Sequence, residues 1–275
     1  MTSFDAFRYE GKRAVVVGGA TGMGAAAAEL LQSAGADVVV MDFAEVTLSG
    51  ATAIHVNLAE RDSIDQAVAE CGGPVDVLLS CAGVADGTPG IERINFIGHR
   101  HMIDQMIGQG LLGRGGAIGF ISSAAGLGWE ANLPRIKEYL ATPDFDSAVA
   151  WIEANAGADY MSTKQAICAY VASQAFPLLK QGIRINAICP GPTNTPLAQA
   201  NEELWLGFGA DYREDVGVEA STPLEQAYPL VFLCSDAAAA INGITLVTDA
   251  GYFASGVTET FPAATPAVNF LLGRY

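Results

Sequence analysis

KRAVVVGGATGMGAAAAELLQSAGADVVVMD, residues 12–42, is the stretch whose reading decides the fold. Residues 14–17 form an apolar, β-branched run, the pattern of a strand buried on both faces. A turn follows that contains Gly18, Gly19, Gly22 and Gly24. Residues 25–34 are dense in good helix formers and stop at Gly35, a residue suited to a helix C-terminus. A second apolar run, 38–41, ends at the acid Asp42. Strand, glycine turn, helix, strand and acid in that order describe a βαβ unit that holds a dinucleotide.

The residue types suit that ligand. A pyrophosphate settles on a helix N-terminus only where no side chain holds the backbone away, which Gly22 and Gly24 provide. Free N–H groups and the helix dipole then stabilise its charge. Thr21 and Met23 complete the turn with Gly18. Asp42 lies 18 positions beyond Gly24. A carboxylate at that spacing accepts bonds from ribose hydroxyls and repels a 2′-phosphate, which favours NAD over NADP.

The bulk composition narrows the classes. The 275 residues are 51% hydrophobic and 16% charged, enough for a large core, and neither repeat nor linker divides them, so one domain is expected. No uninterrupted apolar stretch reaches the length of a membrane span, and the first residues lack the apolar centre of a signal peptide. A net charge of −16 opposes nucleic acid and anionic membrane partners. Five scattered cysteines fit reduced thiols in a cytoplasm. His99 and His101 diverge on a helix, so no metal site is expected.

Further along, apolar runs at 53–56, 75–79, 117–121, 183–188 and 244–247 read as strands. Between them lie helical patterns at 63–70, with Asp62 as cap, at 91–109, at 160–179 and at 197–208, the last exposing Trp205. Thr222-Pro223-Leu224-Glu225 is a capping box that opens a helix running to Cys234. Residues 124–159 break the rhythm; two short helices are expected there, one starting at Thr142-Pro143. The alternation predicts an α/β fold: a Rossmann-type, doubly wound parallel sheet with a helical insertion.

Tyr160-Met161-Ser162-Thr163-Lys164 places a phenol and an ammonium on one helix face. A free tyrosine titrates near about 10, so a nearby lysine charge is expected to lower it toward use as a base. With this pair the sequence resembles the short-chain dehydrogenase/reductase family over nearly its whole length. The cofactor turn is matched by Val17-Gly18-Gly19-Ala20-Thr21-Gly22-Met23-Gly24. The Asn-Asn-Ala-Gly motif is matched by Ser80-Cys81-Ala82-Gly83, the helix asparagine by Asn95, and the catalytic serine by Ser123. Pro190-Gly191-Pro192-Thr193-Asn194-Thr195 matches the segment that holds the nicotinamide end.

The resemblance implies a catalytic set of Asn95, Ser123, Tyr160 and Lys164. Tyr160 would exchange a proton with the substrate oxygen during hydride transfer, and Lys164 would lower its pKa and bind the nicotinamide ribose. Ser123 would bond the substrate oxygen, and Asn95 would hold a water of the proton relay. The cofactor-binding set adds Gly18, Thr21, Gly22, Met23, Gly24, Asp42, Asn57, Leu58, Cys81, Ala82, Gly83, Pro190, Gly191, Thr193 and Thr195. It also implies NAD as cofactor and a homodimer or homotetramer.

Three departures stand out: Val17 lacks the hydroxyl usual in the turn, Ser80-Cys81 lack the asparagines usual after the fourth strand, and 37 positions separate Ser123 from Tyr160. The insertion, about residues 126–158, resembles that of bacterial 3α-hydroxysteroid dehydrogenase/carbonyl reductases, and reads as a substrate lid or a subunit contact. Trp129, Leu133, Trp205, Leu206 and Phe208 are candidates for an apolar pocket. The apolar tail from residue 256, with Phe261, Phe270, Leu271, Leu272 and Tyr275, docks on its own subunit or on a neighbour. The expected activity is NAD-dependent interconversion of a hydrophobic secondary alcohol, hydroxysteroid-like or cyclic, with its ketone. The alternatives are an NADPH-dependent carbonyl reductase, which Asp42 opposes, and a non-catalytic dinucleotide sensor.

Overall fold

The computed structural model describes residues 4–155 and 157–274. Seven strands form one parallel sheet: β1 (Arg13–Val17), β2 (Asp37–Asp42), β3 (Thr52–His55), β4 (Val75–Ser80), β5 (Leu112–Ile121), β6 (Arg184–Pro190) and β7 (Thr245–Thr248). Their order is β3-β2-β1-β4-β5-β6-β7. The chain therefore winds outward in both directions from β1 and β4, whose C-terminal ends part to leave a crevice. The expected strands are all present; β5 begins five residues early, and its register with β4 shifts between Val75 and Val77.

Helices cover both faces of the sheet. On one side, α1 (Gly22–Ser33) and α10 (Pro223–Cys234) pack on Ala14, Val16, Val38 and Val40. On the other, α2 (Arg61–Cys71), α3 (Gly98–Gly108) and α6 (Tyr160–Gln181) pack on Val15, Val17, Val39 and Met41. Alternate side chains of β1 and β2 thus enter different cores, which explains why both strands are continuously apolar.

The insertion supplies α4 (Leu133–Leu140) and α5 (Phe145–Ala154). Tyr139 of α4 packs on Phe96, whose ring also meets Tyr170 of α6, and Trp151 of α5 stacks on Tyr139. The insertion is therefore seated against its own chain, along the flank of α6. The capping expected at Thr142 is absent. Arg100 recruits the Thr142 hydroxyl at 3.0 Å, and α5 starts after Asp144, whose carboxylate accepts from Ser147 N at 2.8 Å.

Two further sequence expectations need correction. Asp62 lies in the first turn of α2 after Glu60 at the N-cap, and no side chain caps that helix. The run 197–208 is two single turns, α7 (Pro196–Gln199) and α8 (Glu202–Trp205), and Trp205 is half-buried. After α9 (Ala210–Val216), the capping box at Thr222 and Glu225 opens α10 as expected. The tail folds as α11 (Tyr252–Val257) and α12 (Thr265–Leu271) against its own chain; Tyr275 lies outside the described residues. Its backbone presses on the insertion so closely that a Cβ at Gly128 would sit 2.2 Å from Leu271 O. No helix among the described residues is long and apolar enough to cross a membrane.

Two glycines in helices test this packing. A Cβ at Gly24 would lie 2.0 Å from Gly18 O, whereas one at Gly108 meets nothing within 4 Å. Gly24→Ala is expected to destabilise by about 3 kcal/mol through overpacking, and Gly108→Ala to stabilise by about 0.5 kcal/mol through backbone entropy. Melting temperatures that move in the same direction for both variants would contradict the packing described.

Candidate functional site

The C-terminal ends of β1 to β4 border a cleft of ≈ 540 Å³ lined by Gly18, Thr21–Gly24, Asp42, Asn57, Leu58 and Cys81–Gly83. Gly18 has φ +82°, and a Cβ on it would lie 2.3 Å from Ala82 N. Gly24 borders the cleft and is also required for packing, since a Cβ there would lie 2.0 Å from Gly18 O. At Gly22 φ is +60°, and a Cβ there would lie 3.5 Å from the Thr195 side chain. Thr21 sits at the α1 N-cap with no side-chain cap bond, so the first N–H groups of the helix are left for other acceptors.

Asp42 is tied in place, with Oδ2 accepting from Ala20 N at 2.8 Å and Oδ1 from Ala44 N at 2.9 Å. Each oxygen retains a lone pair for a hydroxyl donor. No Lys or Arg lines this cleft among the described residues. Asn57 instead organises the start of α2, through Nδ2 to Glu60 Oε1 at 2.9 Å and Oδ1 from Ala59 N at 3.1 Å. Leu58 is a core residue that borders the cleft. An uncapped helix N-terminus, a fixed carboxylate and backbone bared at Gly22 and Gly83 suit a dinucleotide.

A second hollow of ≈ 350 Å³ continues from the first toward β5 and β6. Here α6 opens on a capping box between Asp159 and Ser162, which fixes the position of its first turn. Tyr160 points into the hollow, half-buried, and Lys164 lies one turn on with Nζ 5.5 Å from the Tyr160 ring centre. The lysine is 4% exposed and donates to Ile121 O at 3.0 Å. Ser123 follows β5 beside them, its Oγ accepting from Ala125 N at 3.1 Å. A Cβ at Gly83 would lie 3.5 Å from both Lys164 Nζ and Asn95 Oδ1, which brings the two halves together.

Asn95 is wholly buried on a π-turn, Arg93–Ile97, an irregularity associated with functional sites. Its Oδ1 accepts from Val84 N at 2.8 Å, and Nδ2 donates to Val84 O at 3.1 Å and to Thr163 Oγ1 at 3.2 Å. The side-chain amide is thus occupied in fastening the β4 loop to α6. Pro190 to Thr195 close the far wall. Thr193 Oγ1 donates to Gly191 O at 3.0 Å, and Thr195 Oγ1 accepts from Ala198 N at 3.1 Å, capping α7.

The electrostatics differ from expectation. Burial raises the Tyr160 pKa to about 12; the Ser123 hydroxyl opposes this, and the charges of Asp86 and Cys189 add to it. The lowering expected from Lys164 is not among the influences on the phenol. Burial in turn pushes Lys164 down to about 8. His99, buried against Ala82 O, is pushed down to about 4 and has no place in the hollow.

Sequence reasoning missed Asp86, which lines the hollow and accepts from Tyr160 N at 2.5 Å. Nothing local marks it, since its partner lies 74 positions away. Of the aromatic candidates, Trp205 and Phe208 line the hollow, joined by Leu204 and Leu271. Trp129 packs instead beside Cys168 and Cys189, and neither Leu133 nor Leu206 reaches the site. Among the described residues, none of 126–158 borders the hollow.

With this geometry the likenesses to known proteins are informative. A family profile described as short chain dehydrogenase matches residues 12–142, and one described as enoyl-(acyl carrier protein) reductase matches 143–253. The chain is 33% identical to a cis-4-hydroxycyclohexanecarboxylate dehydrogenase from Sinomonas cyclohexanicum, across 88% of this chain and 96% of that one. It belongs to the short-chain dehydrogenase/reductase family. Another relative is a 3-alpha-hydroxysteroid dehydrogenase/carbonyl reductase of Comamonas testosteroni, 30% identical across 86% of this chain and 95% of that one. The solved 3-alpha-hydroxysteroid dehydrogenase from Pseudomonas sp. B-0831, complexed with NADH, superposes with a TM-score of 0.71 at 26% identity, covering 91% of this chain and 99% of that one.

Removing the Asn95 side chain leaves Val84 N–H and C=O without their partners. Asn95→Ala is expected to destabilise by about 2 kcal/mol and to lower the thermal midpoint accordingly. An unchanged midpoint would show that the clasp between the β4 loop and α6 carries no weight.

Proposed function

We propose that this protein is an NAD-dependent oxidoreductase that interconverts an apolar cyclic or other bulky secondary alcohol and its ketone. The observation that carries the reading is the placement of the Tyr160 phenol. It lies beside the Ser123 hydroxyl and above the buried Lys164, at the base of an apolar hollow that opens into the dinucleotide-shaped cleft.

When bound, the nicotinamide supplies the hydride acceptor or donor. Tyr160 holds the proton that the substrate oxygen gains or loses. Burial keeps the phenol protonated, so it is poised as the donor for ketone reduction. For alcohol oxidation the phenolate must form, and the Lys164 ammonium is the cation nearest to stabilise it. Ser123, freed of any need to donate to the backbone, bonds the substrate oxygen. Asn95 holds α6 and the 83–84 loop in register through its side-chain amide. Trp205, Leu204, Phe208 and Leu271 wall the reacting centre from water.

For the cofactor, the fixed Asp42 carboxylate and the lack of lysine or arginine along the cleft among the described residues favour NAD over its 2′-phosphate. Asp42→Ser is expected to raise the NADPH-to-NADH ratio of kcat/KM by about tenfold. A wild-type preference for NADPH would overturn this part of the proposal.

Tyr160→Phe is expected to cut turnover by a factor of about 10³ while NADH binding, followed by fluorescence, is retained. Preserved turnover would remove Tyr160 from the mechanism. The raised phenol pKa also sets a pH sign: oxidation uses the deprotonated form, so its kcat/KM is expected to climb from about pH 7 to pH 9. A fall over that range would contradict the role of Tyr160 as base.

A further inference from the structure

Among the described residues that line the catalytic hollow, only Asp86 and Lys164 carry formal charge. They occupy different positions. Lys164 is buried beneath Tyr160 with its ammonium bonded to Ile121 O. Asp86 is exposed in the loop after β4, with Oδ1 held by Tyr160 N and no ion pair to a Lys, Arg or His among the described residues. The rest of the wall is mostly apolar: Met161, Leu197, Leu204, Trp205, Phe208 and Leu271. Trp205 lies across the approach, its ring centre 4.9 Å from that of Tyr160 at 45°. A substrate whose hydroxyl reaches Tyr160 must therefore place its body among these apolar groups, close to an uncompensated carboxylate.

We propose that Asp86 is a specificity-determining residue that restricts the site to neutral or cationic cyclic alcohols and ketones and excludes carboxylates. This rests on the oxidoreductase reading and deepens it to a substrate class. An anionic substituent would meet Asp86 while the one lysine of the lining, Lys164, stays buried beneath Tyr160 and bonded to Ile121 O, so like charges face each other without a free cation beside them. A protonated amine would find in Asp86 a ready acceptor. The net charge of −16 acts in the same sense at longer range, because it repels an approaching anion.

The test compares kcat/KM with saturating NAD for three alcohols of one shape: 4-methylcyclohexanol, 4-(dimethylamino)cyclohexanol and 4-hydroxycyclohexanecarboxylate. The carboxylate is expected to be used less well than the methyl compound by about tenfold or more, equivalent to ~1.4 kcal/mol. Asp86→Asn, which keeps an oxygen for the Tyr160 N–H, is expected to narrow the carboxylate-to-methyl ratio whatever its effect on overall rate. Added salt is expected to narrow the same ratio in the wild-type protein, a measurement that needs no variant. A carboxylate used as well as the methyl compound, or a ratio unmoved by Asp86→Asn, overturns the proposal while leaving the oxidoreductase reading intact. No turnover of any of the three overturns both.

Discussion

Gly18 and Ala82 meet backbone to backbone where β1 and β4 diverge, and the geometry of both halves of the site depends on that contact. Val17 O accepts from Cys81 N at 2.8 Å and Ala82 N at 3.0 Å. Any side chain at Gly18 would collide with Ala82. This junction is the switch point of the sheet, where successive crossovers leave in opposite directions and no helix fills the gap. From it, Gly18–Gly24 runs toward the dinucleotide cleft, and Ala82–Val84 runs past Asn95 and Lys164 toward the catalytic hollow. One close approach therefore fixes the distance between the two compartments.

The catalytic end is a balance between burial and charge. Lys164 gives up water for one carbonyl bond and proximity to Tyr160. Its own pKa falls as a result, which weakens the help it gives the phenol. Asp86 and the burial of Tyr160 tip the balance further toward the protonated tyrosine. A site of this kind holds its proton firmly at neutral pH, and under the proposed reaction the positive charge of an oxidised nicotinamide would favour its release.

The sheet, its alternating helices and most of the site were legible because their signals are local. A βαβ unit, a capping box and a Tyr–Lys pair one turn apart each lie within one or two elements. The features that escaped depend on tertiary contact. Asp86 reaches Tyr160 across the fold, and Thr142 failed as a cap because Arg100 draws its hydroxyl away. The seat of Trp205 against Tyr160 could not be read from a short run that breaks into two turns. The direction of the Tyr160 shift escaped for the same reason, since sequence shows the neighbouring lysine and hides the burial.

The central claim is direct hydride exchange between an alcohol carbon and the dinucleotide in the paired compartments joined at Gly18 and Ala82. Its most direct test uses a cyclic secondary alcohol deuterated at the carbinol carbon, with NAD as acceptor and mass spectrometry of the reduced dinucleotide. Deuterium recovered in the dinucleotide is the expected result. Reduction without label transfer, or dinucleotide binding with no reduction across a panel of such alcohols, would contradict it.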